Sequence, residues 1–143
     1  MRKFTWMLLF AVLWALPGFA QEHFTEGPMW NVTFIRVKPA QFDAYLTNLQ
    51  QNAKVAYDEA KRQGVIMDWK VFLKQTKSSQ QDWDIALALL YKNHAQMDGQ
   101  AAKFEAIRDK VLGGKQAFQQ ATEKRSEIRE IVGIELVQEV TLK

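Results

Sequence analysis

Read by period, the chain divides into segments that alternate every second residue and segments that repeat every three or four. Residues 29–38, MWNVTFIRVK, alternate β-branched and aromatic residues and stop at Pro39, as a strand does before a residue that cannot donate to a ladder. From Pro39, at the expected first turn of a helix, Phe42, Leu46, Leu49, Ala53, Ala56 and Ala60 form one apolar stripe that Gly64 ends. Residues 65–76, VIMDWKVFLKQT, predict a second strand with Met67, Trp69, Val71 and Leu73 on one side and the mixed set Asp68, Lys70, Phe72 and Lys74 on the other. The polar KSSQQD then turns the chain into a third strand, QDWDIALALLYKN, residues 81–93. NHAQMDG, with Asn93 or His94 near the start, opens a helical region whose buried stripe is Met97, Phe104, Ile107 and Val111. Gly113 and Gly114 break it, and a second stripe follows at Phe118, Ala121, Arg125, Ile128 and Val132. GIELVQEVTLK predicts the last strand, while the polar residues 21–28, with Gly27 and Pro28, predict a mobile arm.

The resulting order, β-α-β-β-α-α-β, is an α+β arrangement: a ferredoxin-like split βαβ with an extra helix before the last strand. It forms a four-stranded antiparallel sheet with helices on one face, over residues 29–143. The other face is left bare. On the third strand Ile85, Leu87 and Leu89 and the alternate set Ala86, Ala88 and Leu90 are both apolar, so both faces of that strand avoid water. A second copy of the chain, its sheet packed on the first across a two-fold axis, would cover the bare face; the alternative is the N-terminal arm or the third helix wrapping onto it. The expected partner is the chain itself, as a homodimer. Which of the two sets meets the partner is open at this level.

Charge and composition narrow the setting. MRKFTWMLLFAVLWALPGFA places Arg2 and Lys3 before an apolar run and small residues at Gly18 and Ala20, the plan of a signal peptide over residues 1–20 cleaved near Ala20. The run is short for a permanent span, so a periplasmic or secreted protein with no membrane association after cleavage is expected. Cleavage removes two basic residues and no acid from a formal charge of +3. The remaining near-neutral chain, its basic and acidic residues interspersed, has no footprint for nucleic acid. There is no cysteine, hence no disulfide, thiolate metal site or lipid attachment after the leader. NVT at Asn31 matches a glycosylation triplet of low specificity.

The stretches VTFIRVKPAQFDAYL, DWDIALALLYKNHAQMD and RSEIREIVGIELVQEV together resemble the dimeric α+β barrel superfamily, which includes antibiotic-biosynthesis-monooxygenase-like, stress-responsive barrel and NIPSNAP-like families. The resemblance covers roughly residues 30–143 and implies a paired-sheet dimer. It does not select a chemistry, because such proteins include cofactor-free oxygenases, haem-degrading enzymes, isomerases, lyases and members without known activity. Haem-degrading relatives carry the iron-binding histidine on the helix before the last strand. Residues 104–131 contain none, so haem ligation of that kind is not expected.

Candidate chemistry rests on few residues. The histidines are His23 and His94, too far apart for a catalytic zinc site, and no metal or cofactor is expected. His94, three residues after Tyr91, could share a proton with a bound ligand. Trp69 and Trp83 could line a pocket for a flat apolar molecule, although core or interface packing accounts for either. Arg125 lies on an apolar stripe and Arg129 follows it in KRSEIREI; a buried guanidinium needs an acceptor, either a ligand carboxylate or, more simply, a structural partner such as Asp43 or Glu135. No nucleophile elbow, phosphate loop, dinucleotide fingerprint or EF-hand is present. The expectation is a homodimer binding an apolar or aromatic small molecule. Its rivals are a cofactor-independent oxygenase, isomerase or cyclase using Tyr91 and His94, and a structural or interaction module.

Overall fold

The computed structural model describes residues 23–143; the expected leader and residues 21 and 22 lie outside them. Strand β1 (Phe24–Val37) leads into a continuous helix made of α1 (Phe42–Asn48), a π-helical segment (Leu49–Lys54) and α2 (Val55–Arg62). Strands β2 (Asp68–Leu73) and β3 (Ile85–Tyr91) follow. A 3₁₀ turn (His94–Met97), α3 (Gln100–Val111), α4 (Lys115–Ile128) and β4 (Arg129–Leu142) complete the chain. The sheet order is β2-β3-β1-β4 with every neighbouring pair antiparallel, which is the ferredoxin-like topology. The extra helix before the last strand is α4.

Register decides which face each side chain takes. Ile85, Leu87 and Leu89 lie opposite Ile35, Thr33 and Asn31 of β1 and opposite Leu73, Val71 and Trp69 of β2. Ile35, Ile85 and Leu87 pack with Tyr45, Leu49 and Ala53, and Tyr91 packs with Ala56, Ala60, Phe104 and Ile107, so this is the helix-covered side. Ala86, Ala88 and Leu90 therefore belong to the open side. Ala86 and Ala88 are themselves buried, because they lie between larger residues of the flanking strands, among them Val32, Phe34, Lys70 and Phe72.

Three expectations change. The arm over residues 21–28 is strand from Phe24 onward, paired with β4 as far as Phe24 opposite Leu142. Gly27 and Pro28 fall in a bulge between Glu26 and Met29, where a proline without an N–H is tolerated. The last strand begins at Arg129, so Val132, expected on the helical stripe, is in β4 beside a second irregularity in the pairing. Pro39 precedes the first helix instead of opening it: Pro39 and Ala40 form a turn, and Phe42 is the first helical residue.

Candidate functional site

The π-helical segment sets up the site. Tyr45 and Tyr57 are twelve residues apart, which in a regular α-helix would point them about 120° apart. The wider i→i+5 turn of residues 49–54 rotates less per residue and brings them back toward one side. Both phenols feel Arg125 and Arg129. Arg129 Nη1 donates to the Tyr45 hydroxyl at 3.3 Å, and its guanidinium lies 5.6 Å from the Tyr45 ring centre. From α3, Arg108 also reaches Tyr57 electrostatically. The guanidiniums of Arg108 and Arg125 both lie on the Phe118 ring, at 4.2 and 5.6 Å from its centre.

Three cations thus lie around two phenols with no counter-ion among the described residues. None of the ion pairs among the described residues involves Arg108, Arg125 or Arg129. Arg125 has one hydrogen bond, from Nη2 to the Thr122 hydroxyl at 2.9 Å. The Nε atoms of Arg125 and Arg108 are buried with no acceptor. The partner foreseen for Arg125, Asp43 or Glu135, is absent: Asp43 is exposed on α1, and Glu135, opposite Val32, is on the open side of the sheet. Burial, then the neighbouring Arg129, holds the Arg125 guanidinium below its usual range, against the pull of Tyr57 and Tyr45. Burial pushes Tyr45 and Tyr57 upward, while the arginines pull them down.

Part of the helix-covered side of the sheet is open and apolar. The helices cover β3 and part of β1, but on the same side of β4 Ile134 and Leu136, opposite Thr33 and Asn31, are 64% and 44% exposed. Asn31 Oδ1 and Asn48 Oδ1 are buried acceptors without donors, Asn31 on that side of β1 and Asn48 one helical turn from Tyr45.

The other candidates separate. Tyr91 is buried against α2 and α3, and burial followed by Tyr57 pushes its phenol up to about 12. His94 stands exposed on the 3₁₀ turn, with no hydrogen bond to Tyr91. Trp69 and Trp83 are on opposite faces. Trp69 packs on Tyr57 at 5.7 Å, donates Nε1–H to Asp58 at 2.9 Å, and borders a groove of about 300 Å³ beside Leu49, Ala53, Val71 and Leu87. Trp83 packs on Phe34 at 5.3 Å with the Lys74 ammonium over it, on the open side. Among the described residues no group of three or more acidic or histidine side chains could hold a metal, and no helix is long and apolar enough to cross a membrane. Sequence reasoning found Arg125 and Arg129. It missed Arg108, Tyr45 and Tyr57, whose grouping depends on the π segment and on how α3 and α4 pack.

No family model matches the chain, and no curated protein does. Among solved structures it is similar to HapK from Hahella chejuensis, at 15% identity over 78% of this chain and 91% of that one, with a TM-score of 0.45. It is also similar to a dimeric protein of unknown function and ferredoxin-like fold from Bacteroides fragilis, at 18% identity over 82% and 99% of the two chains, TM-score 0.45. A third is a NIPSNAP family protein of unknown function from Agrobacterium tumefaciens, at 10% identity over 86% and 90%, TM-score 0.47. At these identities and scores the likenesses do not bear on activity, ligand or assembly; the strand order itself defines the fold.

Proposed function

We propose that this chain is an exported homodimer that binds an apolar or aromatic small molecule on the helix-covered side of its sheet. The observation that carries the binding role is the open flank of β4: apolar Ile134 and Leu136 stay exposed on the helix-covered side of the sheet, the side on which Arg129 meets Tyr45. Sites of this composition, mostly apolar with a few polar groups, suit small molecules. Export is supported by the charge and small-residue plan of residues 1–20. The enzyme alternative would have to use a buried Tyr91 together with an exposed His94.

The dimer is supported by the open side of the sheet, where Trp30, Val32, Phe34, Phe72, Leu90 and Val137 form an apolar face. Phe72 and Val137 are 47% and 45% exposed. Four strands spaced about 4.8 Å apart and roughly seven residues long give a face of roughly 19 by 23 Å in projection. With side-chain relief, two such faces approach the lower end of the roughly 1,200–2,000 Å² that stable interfaces bury. Its edges differ in sign. Lys70 and Lys74 belong to the β2 side, over the Trp30 and Trp83 rings, while Glu135 and Glu139 belong to β4, Glu139 accepting from Trp30 Nε1 at 2.6 Å. A two-fold axis along the strands sets the β2 edge of one copy over the β4 edge of the other, so the lysines of each meet the glutamates of its twin.

Sedimentation of Phe72→Glu and Val137→Glu tests the pairing. Both residues are exposed in the single subunit, so both variants should stay folded and sediment as one chain while the parent sediments as two. Leu87→Glu, which charges the helix-covered core, should unfold the subunit. A parent that stays monomeric at all accessible concentrations contradicts the dimer.

A further inference from the structure

The two orphaned guanidinium nitrogens say more about the ligand than that it is apolar. A buried guanidinium nitrogen left without an acceptor costs free energy that a bound acceptor would return. Here three half-buried arginines from α3, α4 and the start of β4 lie around Tyr45 and Tyr57. Glu105 and Asp109 line the crevice of about 230 Å³ that Arg108 shares with Phe118, yet neither comes within ion-pair distance of it. The Asp58 and Glu59 carboxylates of α2 are already taken, Asp58 by Lys54 and Trp69 and Glu59 by Arg62, Gln63 and Lys110. Phe118 stacks against both Arg108 and Arg125.

We infer that the ligand is an aromatic or apolar acid, its carboxylate accepting from Arg125 and Arg108 and from the Arg129–Tyr45 pair. This deepens the small-molecule reading above and rests on it. The planar guanidinium fork suits a carboxylate, and charge-assisted bonds of this kind are about twice as strong as neutral ones. The buried Asn31 and Asn48 oxygens add acceptors, which suits an acid carrying a hydroxyl or amine as well.

The test compares two probes with one ring system. The ¹⁵N-labelled protein, as purified, is titrated with 1-naphthoate and with 1-naphthamide, following the arginine Nε–H signals assigned from Arg108→Lys and Arg125→Lys. Naphthoate should bind about tenfold or more tighter than the amide and move the Arg108 and Arg125 signals. Arg125→Met should abolish that preference and leave amide binding within about twofold, with Arg108→Gln as the second variant should the first fold poorly. Equal affinity for acid and amide, or naphthoate binding that leaves both signals in place, overturns the anion assignment while keeping the pocket. Binding of neither probe overturns the pocket reading itself. Movement of Trp69 alone would place the ligand in the groove over β2 and overturn the assignment of the site to the arginines.

Discussion

Replacing Arg125 by methionine separates a structural arginine from one kept for a ligand, because the two roles predict different stabilities. Were Arg125 half of a buried ion pair, removing it would strand a carboxylate and cost about 3–5 kcal/mol. The structure gives it no such partner. The variant forfeits one hydrogen bond, from Nη2 to the exposed Thr122, worth about 0.5–1.5 kcal/mol, and a guanidinium-on-ring contact with Phe118 worth about 0.5–1 kcal/mol. Against this, methionine keeps an apolar stem on Phe118 and contributes a sulfur–aromatic contact of about 0.3–1.5 kcal/mol. It also ends the partial desolvation of the guanidinium and its repulsion with Arg108 and Arg129. The net change expected is within about 1 kcal/mol of zero, of either sign. Urea denaturation of the ligand-free protein at one fixed concentration measures it, since a dimer's midpoint depends on concentration. A loss of about 3 kcal/mol or more would show that Arg125 holds the fold and would refute the ligand role.

Two further expectations concern the ribbon and the phenols. A Cβ at Gly27 would meet the Glu139 carbonyl oxygen at 2.9 Å, so Gly27→Ala should destabilise by about 1–3 kcal/mol in denaturant melts and weaken amide protection over residues 24–28, whereas an unchanged midpoint would mean the bulge does not form. Tyr91 is pushed up to about 12, while in the unfolded chain a phenol ionises near 10; stability from Tyr91 is therefore complete below about pH 10 and lost as pH rises toward 12, a loss that Tyr91→Phe should reduce in melts across that range.

Most of the fold was legible because periodicity reports burial. The alternation of MWNVTFIRVK, the stripe from Phe42 to Ala60 and the doubly apolar IALALLY each correspond to the element found, and Gly64 ends the long helix at a φ of 70°. What was missed is where local signals compete with pairing. Gly27 and Pro28 read as a break, yet a bulge accommodates both and β4 supplies the partner. Val132 continues a helical stripe on paper, but its β-branched side chain also suits a strand, and pairing of Ile35 with Ile131 decides the matter. The site was half legible. An arginine on an apolar stripe announces a buried charge, but the partner it lacks can only be seen in three dimensions. Nothing in LTNLQQNAK signals the π turn that aligns Tyr45 with Tyr57.

The central claim, a paired-sheet protein holding an acidic ligand under its helices, is tested most directly by native mass spectrometry of protein purified without refolding, compared with the denatured chain mass from the same sample. The account predicts an assembly of twice the chain mass. It should carry a small adduct that leaves on gentle activation, survives in Phe118-retaining surface variants and is absent from Arg125→Met. A species of one chain mass, bare at every activation energy, would contradict it.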